Sequence, residues 1–281
     1  MGTNEFPRDP SNIDQLEKYA KDLTEVYKSE KERRKELEAA YQQLFKHSED
    51  ISKNYLDLKS AHQELQEAYL DTIHRLVLAA EYKDEDTGDH IVRMSRYSAL
   101  IAEKLGLPSK EVQDILYAAP MHDVGKIGIP DSILMKPGKL TDEEFGVMKT
   151  HSIIGANILA YSKAEVLKLA EQIAISHHEK WNGKGYPQGL AGDNIPLAAR
   201  IVGLVDVFDA LTSKRPYKDP FPVEVALDII KKDRGEHFDP DVVDIFLENI
   251  DEIVKIKEEV GLKEGLSLPD FAKSKRDQPE G

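Results

Sequence analysis

Leucine and isoleucine recur every seven residues along the first quarter of the chain. Between Leu16 and Thr72, seven of the nine positions at this spacing are Leu or Ile, and residues 13–78 contain neither proline nor glycine. A second series lies four residues after the first and includes Tyr27 and Tyr41, so the two series match the d and a positions of a heptad repeat. The pattern predicts a coiled-coil helix over residues 13–74.

The same pattern bears on association. A single helix cannot bury such a seam, and Leu at d makes a parallel homodimer the simplest partner. Heptads specify association and say nothing of signalling, so two interpretations stay open: a dimerising stalk, or a helix that carries a signal into the second part of the chain. Residues 1–12 are predicted to be disordered.

Beyond Leu78 the hydrophobic pattern changes to shorter helices with ordinary start and stop signals. No run of alternating strand residues is found there. The fold class is therefore predicted as all-α, a long N-terminal coiled-coil helix followed by a helical bundle over 75–266, with a loose tail at 267–281. The clearest signals are a helix over 90–105 stopped by Gly106, a helix over 109–121, a capping box of Thr141 with Glu144, and a helix start at Asp239 with Pro240.

Composition narrows the chemistry. The 281 residues include no cysteine, so any metal must be held by nitrogen and oxygen. The net charge of −14 argues against a DNA or RNA polymer as partner, whereas a small anion is compatible with a few local cations or metal ions. No stretch approaches 18 apolar residues and the first ten residues lack a signal-peptide pattern, so no membrane span is expected and a cytoplasmic location is predicted.

Histidine and aspartate cluster in pairs in the second part of the chain. Adjacent side chains on a helix point about 100° apart, so a His-Asp and a His-His pair are expected to flank two ions rather than serve one from the same direction. Neutral imidazole and carboxylate suit Fe, Mn, Zn or Ni, and a carboxylate can bridge two metals about 3.5–4 Å apart. Asp123 is the natural bridge. The pairs and their neighbours are His122-Asp123, His151, His177-His178, and Asp206 with Asp209.

Two sequence blocks closely resemble the HD-GYP family. They are HDVGK at 122–126 and HHEKWNGKGYP at 177–187, with the segment IPLAARIVGLVDVFDALTSKRPYK after them. The resemblance runs from about residue 75 to 247. It implies an HD-type helical bundle and a metal-dependent phosphodiesterase that hydrolyses cyclic di-GMP to pGpG, GMP or both.

The resemblance also implies the metal ligands. Some members of the family bind a third ion with a glutamate four residues before the first histidine, where this chain has Asp86. The alternative for Asp86 is a favourable position near a helix N-terminus. Two divalent ions, Fe or Mn, are thus expected, and a third stays open. The implied ligands are His90, His122, Asp123 and Asp206 for one ion, and Asp123, His151, His177 and His178 for the other.

Candidate substrate contacts lie in both blocks. Lys126 is one turn beyond the His-Asp pair, so its ammonium can neutralise a bound phosphate, as its equivalent does in the family. Gly185 lies in a flexible loop, and Tyr186 offers a ring and a hydroxyl to a guanine or phosphate. The alternative is that the Gly-Tyr-Pro motif only braces this loop.

Further candidates lie after the second block. The resemblance implies that Arg215 and Lys218 hold the second phosphate or base. Asp209 either contacts the substrate or orients a neighbouring group, and both interpretations stay open.

The implied mechanism is a two-metal hydrolysis. Ions bridged by Asp123 lower the pKa of a water between them, and the hydroxide attacks phosphorus in line with the departing 3′ oxygen while Lys126 stabilises the developing charge. Asp123 and Lys126 are thus the predicted catalytic residues. The alternatives are another nucleotide phosphohydrolase of the HD superfamily and a silent module that binds a cyclic dinucleotide and relays its state. Cyclic di-GMP and cyclic GMP-AMP are not distinguished by charge or spacing.

Overall fold

The computed structural model describes residues 10–81, 83, 88–214 and 219–261. The predicted all-α class is confirmed: the described residues form helices and no strand, with isolated bridges at Asn182–Ala191 and Arg234–Phe238. The chain divides into two compact units, Met1–Gln66 and Glu67–Gly281. None of the described helices is both long enough and apolar enough to cross a membrane.

Helix α1 runs from Pro10 to Glu81 and confirms the long N-terminal helix. It extends into residues 10–12, which were predicted to be disordered, because proline is well tolerated in the first turn of a helix. Every described side chain between 13 and 66 is exposed. The heptad leucines therefore have no cover within the first unit.

The second unit begins upstream of the predicted boundary after residue 74. Leu70, Val77 and Ala80 on the last turns of α1 are buried, so this part of the helix belongs to the core of the bundle. The remaining helices are α2 Gly88–Lys104, α3 Ser109–Ala118, α4 Asp131–Leu134, α5 Asp142–Met148, α6 His151–Leu159, α7 Glu165–Ser176, α8 Leu197–Thr212, α9 Val223–Lys232, α10 Pro240–Glu248 and α11 Ile250–Gly261, with 3-10 turns at Ala119–Met121, Val124–Gly128 and Gly192–Asn194.

The core of the second unit is built around α2 and α8. Helix α2 packs against α3, α8 and α11, and α6 packs against α7 and the turn at Val124–Gly128. The buried ring of Phe208 lies 6.0 Å from Tyr97 and 5.1 Å from Phe246, centroid to centroid. These contacts fix α8, which carries Asp206 and Asp209, against α2.

Local sequence signals place several helix ends. The predicted capping box is present, with the Glu144 amide donating to Thr141 and the Thr141 amide donating to Glu144. Helix α10 starts at Asp239-Pro240 as predicted. The helix predicted over 109–121 is α-helical only to Ala118 and continues as a 3-10 turn, where Pro120 cannot supply an α-helical N–H. The predicted tail at 267–281 lies outside the described residues.

Candidate functional site

The predicted metal ligands come from four helix ends and one helix interior. His90 lies in the first turn of α2, His151 opens α6, and Asp206 lies within α8. The structure brings their ligand atoms into two adjacent groups. The Asp123 group consists of Asp123, His151, His177 and His178, and the His90 group of His90, His122 and Asp206.

Asp123 lies between the two groups. Its Oδ1 is 3.2 Å from Nε2 of His151 and 3.4 Å from Nε2 of His177. Its Oδ2 is 3.4 Å from Nε2 of His122, in the His90 group, and 2.9 Å from Nζ of Lys126. The carboxylate thus faces both groups, as a bridging ligand must.

The His-Asp pair and the His-His pair behave differently. His122 and Asp123 lie in the turn between two 3-10 segments and join different groups. His177 and His178 both join the Asp123 group, with ring centroids 3.9 Å apart. Helix α7 ends at Ser176 and neither histidine lies inside a helix, so the 100° spacing of helical side chains does not apply to this second pair.

Backbone carbonyls orient three of the ligand histidines. A carbonyl oxygen only accepts, so each Nδ1 carries the hydrogen and each Nε2 presents its lone pair to the site. The bonds run from Nδ1 of His122 to Ala119 (2.9 Å), of His151 to Met148 (2.7 Å), and of His177 to Ile173 and Ala174 (3.1 Å each).

His90 is oriented by a side chain instead. Its Nδ1 lies 2.8 Å from Oδ2 of Asp209, whose two oxygens also accept from Nε and Nη2 of Arg93 at 2.6 and 2.9 Å. Burial favours a raised pKa for Asp209, but these donors hold it below its ordinary value. Asp209 is 2% exposed and makes three hydrogen bonds with these two partners, which favours the orienting role; its contact with substrate stays a prediction.

Arg93 carries a role that sequence reasoning missed. It is 8% exposed and lies three positions after His90 on α2, a spacing that places two side chains on one helix face. The spacing alone could have indicated that Arg93 lies on the same helix face as His90. It could not identify Asp209 as the partner of Arg93, because that contact depends on α8 packing against α2.

The charge state of the Asp123 group suits divalent metal ions. Burial lowers the pKa of His177 and lowers that of His178 further, so both rings stay neutral. Burial would raise the pKa of Asp123, yet Lys126 and His122 hold it well below its usual range. Among the described residues, Asp123 Oδ1 and His177 Nε2 are buried without a hydrogen-bond partner. Neutral imidazoles and a carboxylate with open lone pairs fit transition-metal ligation.

A glycine permits the close packing behind the Asp123 group. A Cβ on Gly125 would lie 1.9 Å from the carbonyl oxygen of His151 and 2.4 Å from the amide nitrogen of Gly155. Only a residue without a side chain allows the turn that carries Asp123 to contact the start of α6 in this way.

The Gly-Tyr-Pro loop is braced from within. Glu179, whose role the sequence leaves open, is 6% exposed and accepts the amide hydrogens of Gln188, Gly189 and Leu190 at 2.7, 3.1 and 3.0 Å. A Cβ on Gly185 would lie 2.3 Å from the amide nitrogen of Lys180. Gly185 is therefore needed for packing, and its contact with substrate stays a prediction.

Tyr186 lies against a predicted ligand. Its ring centroid is 4.7 Å from that of His178, at an interplanar angle of 31°. The motif thus both braces the loop and places a half-buried ring at the Asp123 group. The remaining predicted positions, Asp86, Arg215 and Lys218, lie outside the described residues.

Comparisons with known proteins agree with this arrangement. Residues 75–242 match the HD domain family. The chain is 50% identical over 177 residues to the cyclic di-GMP phosphodiesterase response regulator RpfG of Xanthomonas campestris, covering 63% of this chain and 47% of that protein. It is 42% identical over 200 residues to the 3′3′-cGAMP-specific phosphodiesterase 2 of Vibrio cholerae, covering 71% of this chain and 37% of that protein.

A further sequence relative and a solved structure also match this chain. A cyclic di-GMP phosphodiesterase of Thermotoga maritima is 45% identical over 186 residues, covering 66% of this chain and 50% of that protein. The crystal structure of a cyclic GMP-AMP-specific phosphodiesterase of V. cholerae, V-cGAP3, superposes with a TM-score of 0.51 at 20% identity, covering 68% of this chain and 52% of the other. The last likeness shows the fold. The chain spans about half the length, or less, of these curated relatives.

Proposed function

The chain belongs to the HD domain family, in its HD-GYP branch, and from this premise we propose that it is a metal-dependent phosphodiesterase of cyclic dinucleotides, cyclic di-GMP first among them. The proposal rests on the two ligand groups, which have Asp123 between them, and on the contact of Lys126 with Oδ2 of Asp123. Six nitrogen and oxygen ligand residues around one buried carboxylate are the donor set of a two-metal hydrolytic centre.

Two divalent ions are the proposed cofactors, with Fe or Mn the metals that suit this donor set. When bound, they supply an activated water at neutral pH and a positive field on the phosphoryl oxygens. His90, His122 and Asp206 would hold one ion, the three histidines of the Asp123 group the other, and Asp123 both. A third ion at Asp86 stays a proposal.

The chain's own residues position and neutralise the substrate. Lys126 lies where its ammonium can contact both Asp123 and an anionic phosphoryl oxygen, and it thereby stabilises charge that grows during in-line displacement of the 3′ oxygen. Because its pKa is held low, Asp123 remains a carboxylate at neutral pH and keeps its bridging role. Arg215 and Lys218 are proposed contacts for the second phosphate or base.

Cyclic GMP-AMP is the second candidate substrate. The names of the relatives divide between the two cyclic dinucleotides, and the V. cholerae relative named for cGAMP is 42% identical, close to the 50% of RpfG. Both substrates present the same phosphodiester to the metal centre. From cyclic di-GMP, the proposed products are pGpG, GMP or both.

Product chromatography tests this function. Protein purified without oxygen is incubated with cyclic di-GMP and, separately, with cyclic GMP-AMP under reducing and oxidising conditions. We expect linear dinucleotide or mononucleotide to form, and His122→Ala to abolish it. His47→Ala, which changes an exposed histidine of α1, serves as the control. Binding of a cyclic dinucleotide without product would instead favour a silent relay module.

We further propose that residues 13–74 of α1 form a parallel coiled coil with a second copy of the chain. The apolar d positions are exposed along the whole first unit; Leu16, Leu37 and Leu58, for example, are 67%, 56% and 70% exposed. Burying such a seam against an identical helix removes this apolar surface from water.

A matched pair of leucines tests the dimer. Leu58 occupies a d position and Leu56 a b position outside the seam, and the two are 70% and 62% exposed in the single chain. Sedimentation should show that Leu58→Lys shifts the protein toward monomer, whereas Leu56→Lys leaves the dimer intact. A wild-type monomer, or equal effects of both substitutions, would contradict the proposal.

A further inference from the structure

An aromatic contact extends outward from the Asp123 group. Beyond His178 and Tyr186 lies Phe145 on α5, with its ring centroid 6.3 Å from that of Tyr186 at an interplanar angle of 82°. This edge-to-face contact leads from a ligand histidine to a ring at the surface. Phe145 is 47% exposed, so its contact with Tyr186 leaves ring surface open to a further flat partner.

A lysine lies over the same two rings. Lys149 Nζ is 5.2 Å from the ring centroid of Phe145 and 5.8 Å from that of Tyr186, both within cation–π range. The structure gives Lys149 no carboxylate partner within the described part of the chain. Lys126, by contrast, contacts Asp123. Lys149 is thus a second cation near the site, and no acid among the residues that the structure describes is paired with it.

The position of both residues is fixed by α5 and by the metal site. Phe145 and Lys149 are four residues apart at the end of α5, so they share one helix face. The start of α5 is fixed by the Thr141 capping box, and Met148 at its end accepts from Nδ1 of His151. The pair is thus held in register with the Asp123 group.

We propose that Phe145 and Lys149, with Tyr186, form a subsite for a guanine base of the cyclic dinucleotide; this rests on the proposed function. Proteins bind unpaired bases by stacking them on aromatic side chains. A single exposed phenylalanine is common on protein surfaces, so the proposed subsite depends on Tyr186 and Lys149 lying beside Phe145. Guanine presents O6 and N7 as acceptors on one edge, whereas adenine pairs one acceptor with an N6 donor. A lysine beside the stacked base therefore favours guanine over adenine.

Phe145→Ala tests the stacking, with Val147→Ala as the matched control. Val147 is 38% exposed on the same helix. Loss of one base stack should raise the KM for cyclic di-GMP about tenfold, while kcat, metal content and the inhibition constant of inorganic phosphate, which has no base, stay within about twofold. Phe145→Tyr should restore the KM. An unchanged KM in Phe145→Ala, or an equal loss with phosphate, overturns the subsite.

Lys149→Met tests the base preference. The ratio of kcat/KM for cyclic di-GMP over cyclic di-AMP should fall several-fold, whereas Lys163→Met, beyond the far end of α6, should leave the ratio unchanged. An unchanged ratio in Lys149→Met would overturn the role of this residue.

The two proposals fail separately. If the wild type hydrolyses no cyclic dinucleotide, the proposed function falls, and calorimetric binding of cyclic di-GMP then tests the subsite. Weaker binding in Phe145→Ala supports the subsite, and equal or absent binding in the wild type and variant overturns it.

Discussion

The two ligand groups are held in place by different means. In the Asp123 group, His151 and His177 donate to backbone carbonyls three or four residues earlier in the chain. In the His90 group, His90 donates to Asp209, which lies 119 residues away and is itself fixed by Arg93. Local backbone orients two histidines of the Asp123 group and also His122, whereas in the His90 group a buried ion pair between α2 and α8 orients His90. Side-chain substitutions should therefore weaken the two groups separately.

The largest effect is expected from Asp123→Ala, because this carboxylate faces both groups and Lys126. Activity should fall by more than the about 10–100-fold typical of losing a partner of a metal ligand, and both ions should bind more weakly. Elemental analysis with product chromatography measures the change. Asp251→Ala, on the exposed face of α11, is the control. Two tightly bound ions in Asp123→Ala would contradict the claim that this carboxylate serves both ligand groups.

Gly125→Ala should damage the Asp123 group next most severely. The added Cβ meets the His151 carbonyl, so the turn and α6 must separate, and a displacement of about 1 Å can cost about 100-fold in rate. The free energy of unfolding should also fall by about 1–3 kcal/mol, measured by denaturant titration. Gly146→Ala, where a Cβ meets nothing within 4 Å, is the matched control. Equal behaviour of both variants would show that the close contact is dispensable.

Asp209→Asn should affect the His90 group alone. Loss of the carboxylate that orients His90 should weaken one ion by about 10–100-fold and leave the other bound. Chelator competition measures the two affinities. Equal weakening of both ions would mean that the groups are not independently supported.

Arg93→Met should have the smallest effect on metal, because Asp209 still accepts from His90. Metal affinity at the His90 group should fall less than tenfold, whereas stability should fall by about 3–5 kcal/mol, since the substitution leaves a buried carboxylate without its main partner. Arg234→Met breaks a pair with Asp244 whose side chains are 43% and 49% exposed, and it should cost at most about 1 kcal/mol. A metal loss in Arg93→Met as large as that in Asp209→Asn would show that the arginine acts directly on the ligand.

Features that depend on neighbouring residues were predictable from sequence. The heptads predicted α1, the capping box placed the start of α5, and the family resemblance implied the seven residues whose side chains the structure brings together. Features that depend on packing were not. The contacts of Asp209 with His90 and Arg93 require α2 to pack against α8, and the role of Glu179 requires the amides of Gln188, Gly189 and Leu190 to converge on it.

Metal counting tests the central claim most directly. Elemental analysis of protein purified without oxygen should give two or more ions per chain in the wild type and one fewer in Asp209→Asn at limiting metal. Both proteins would be compared at the same metal and chelator concentrations. A wild type that holds one ion or none, or an Asp209→Asn variant that loses both together, would contradict two adjacent and separately supported metal sites.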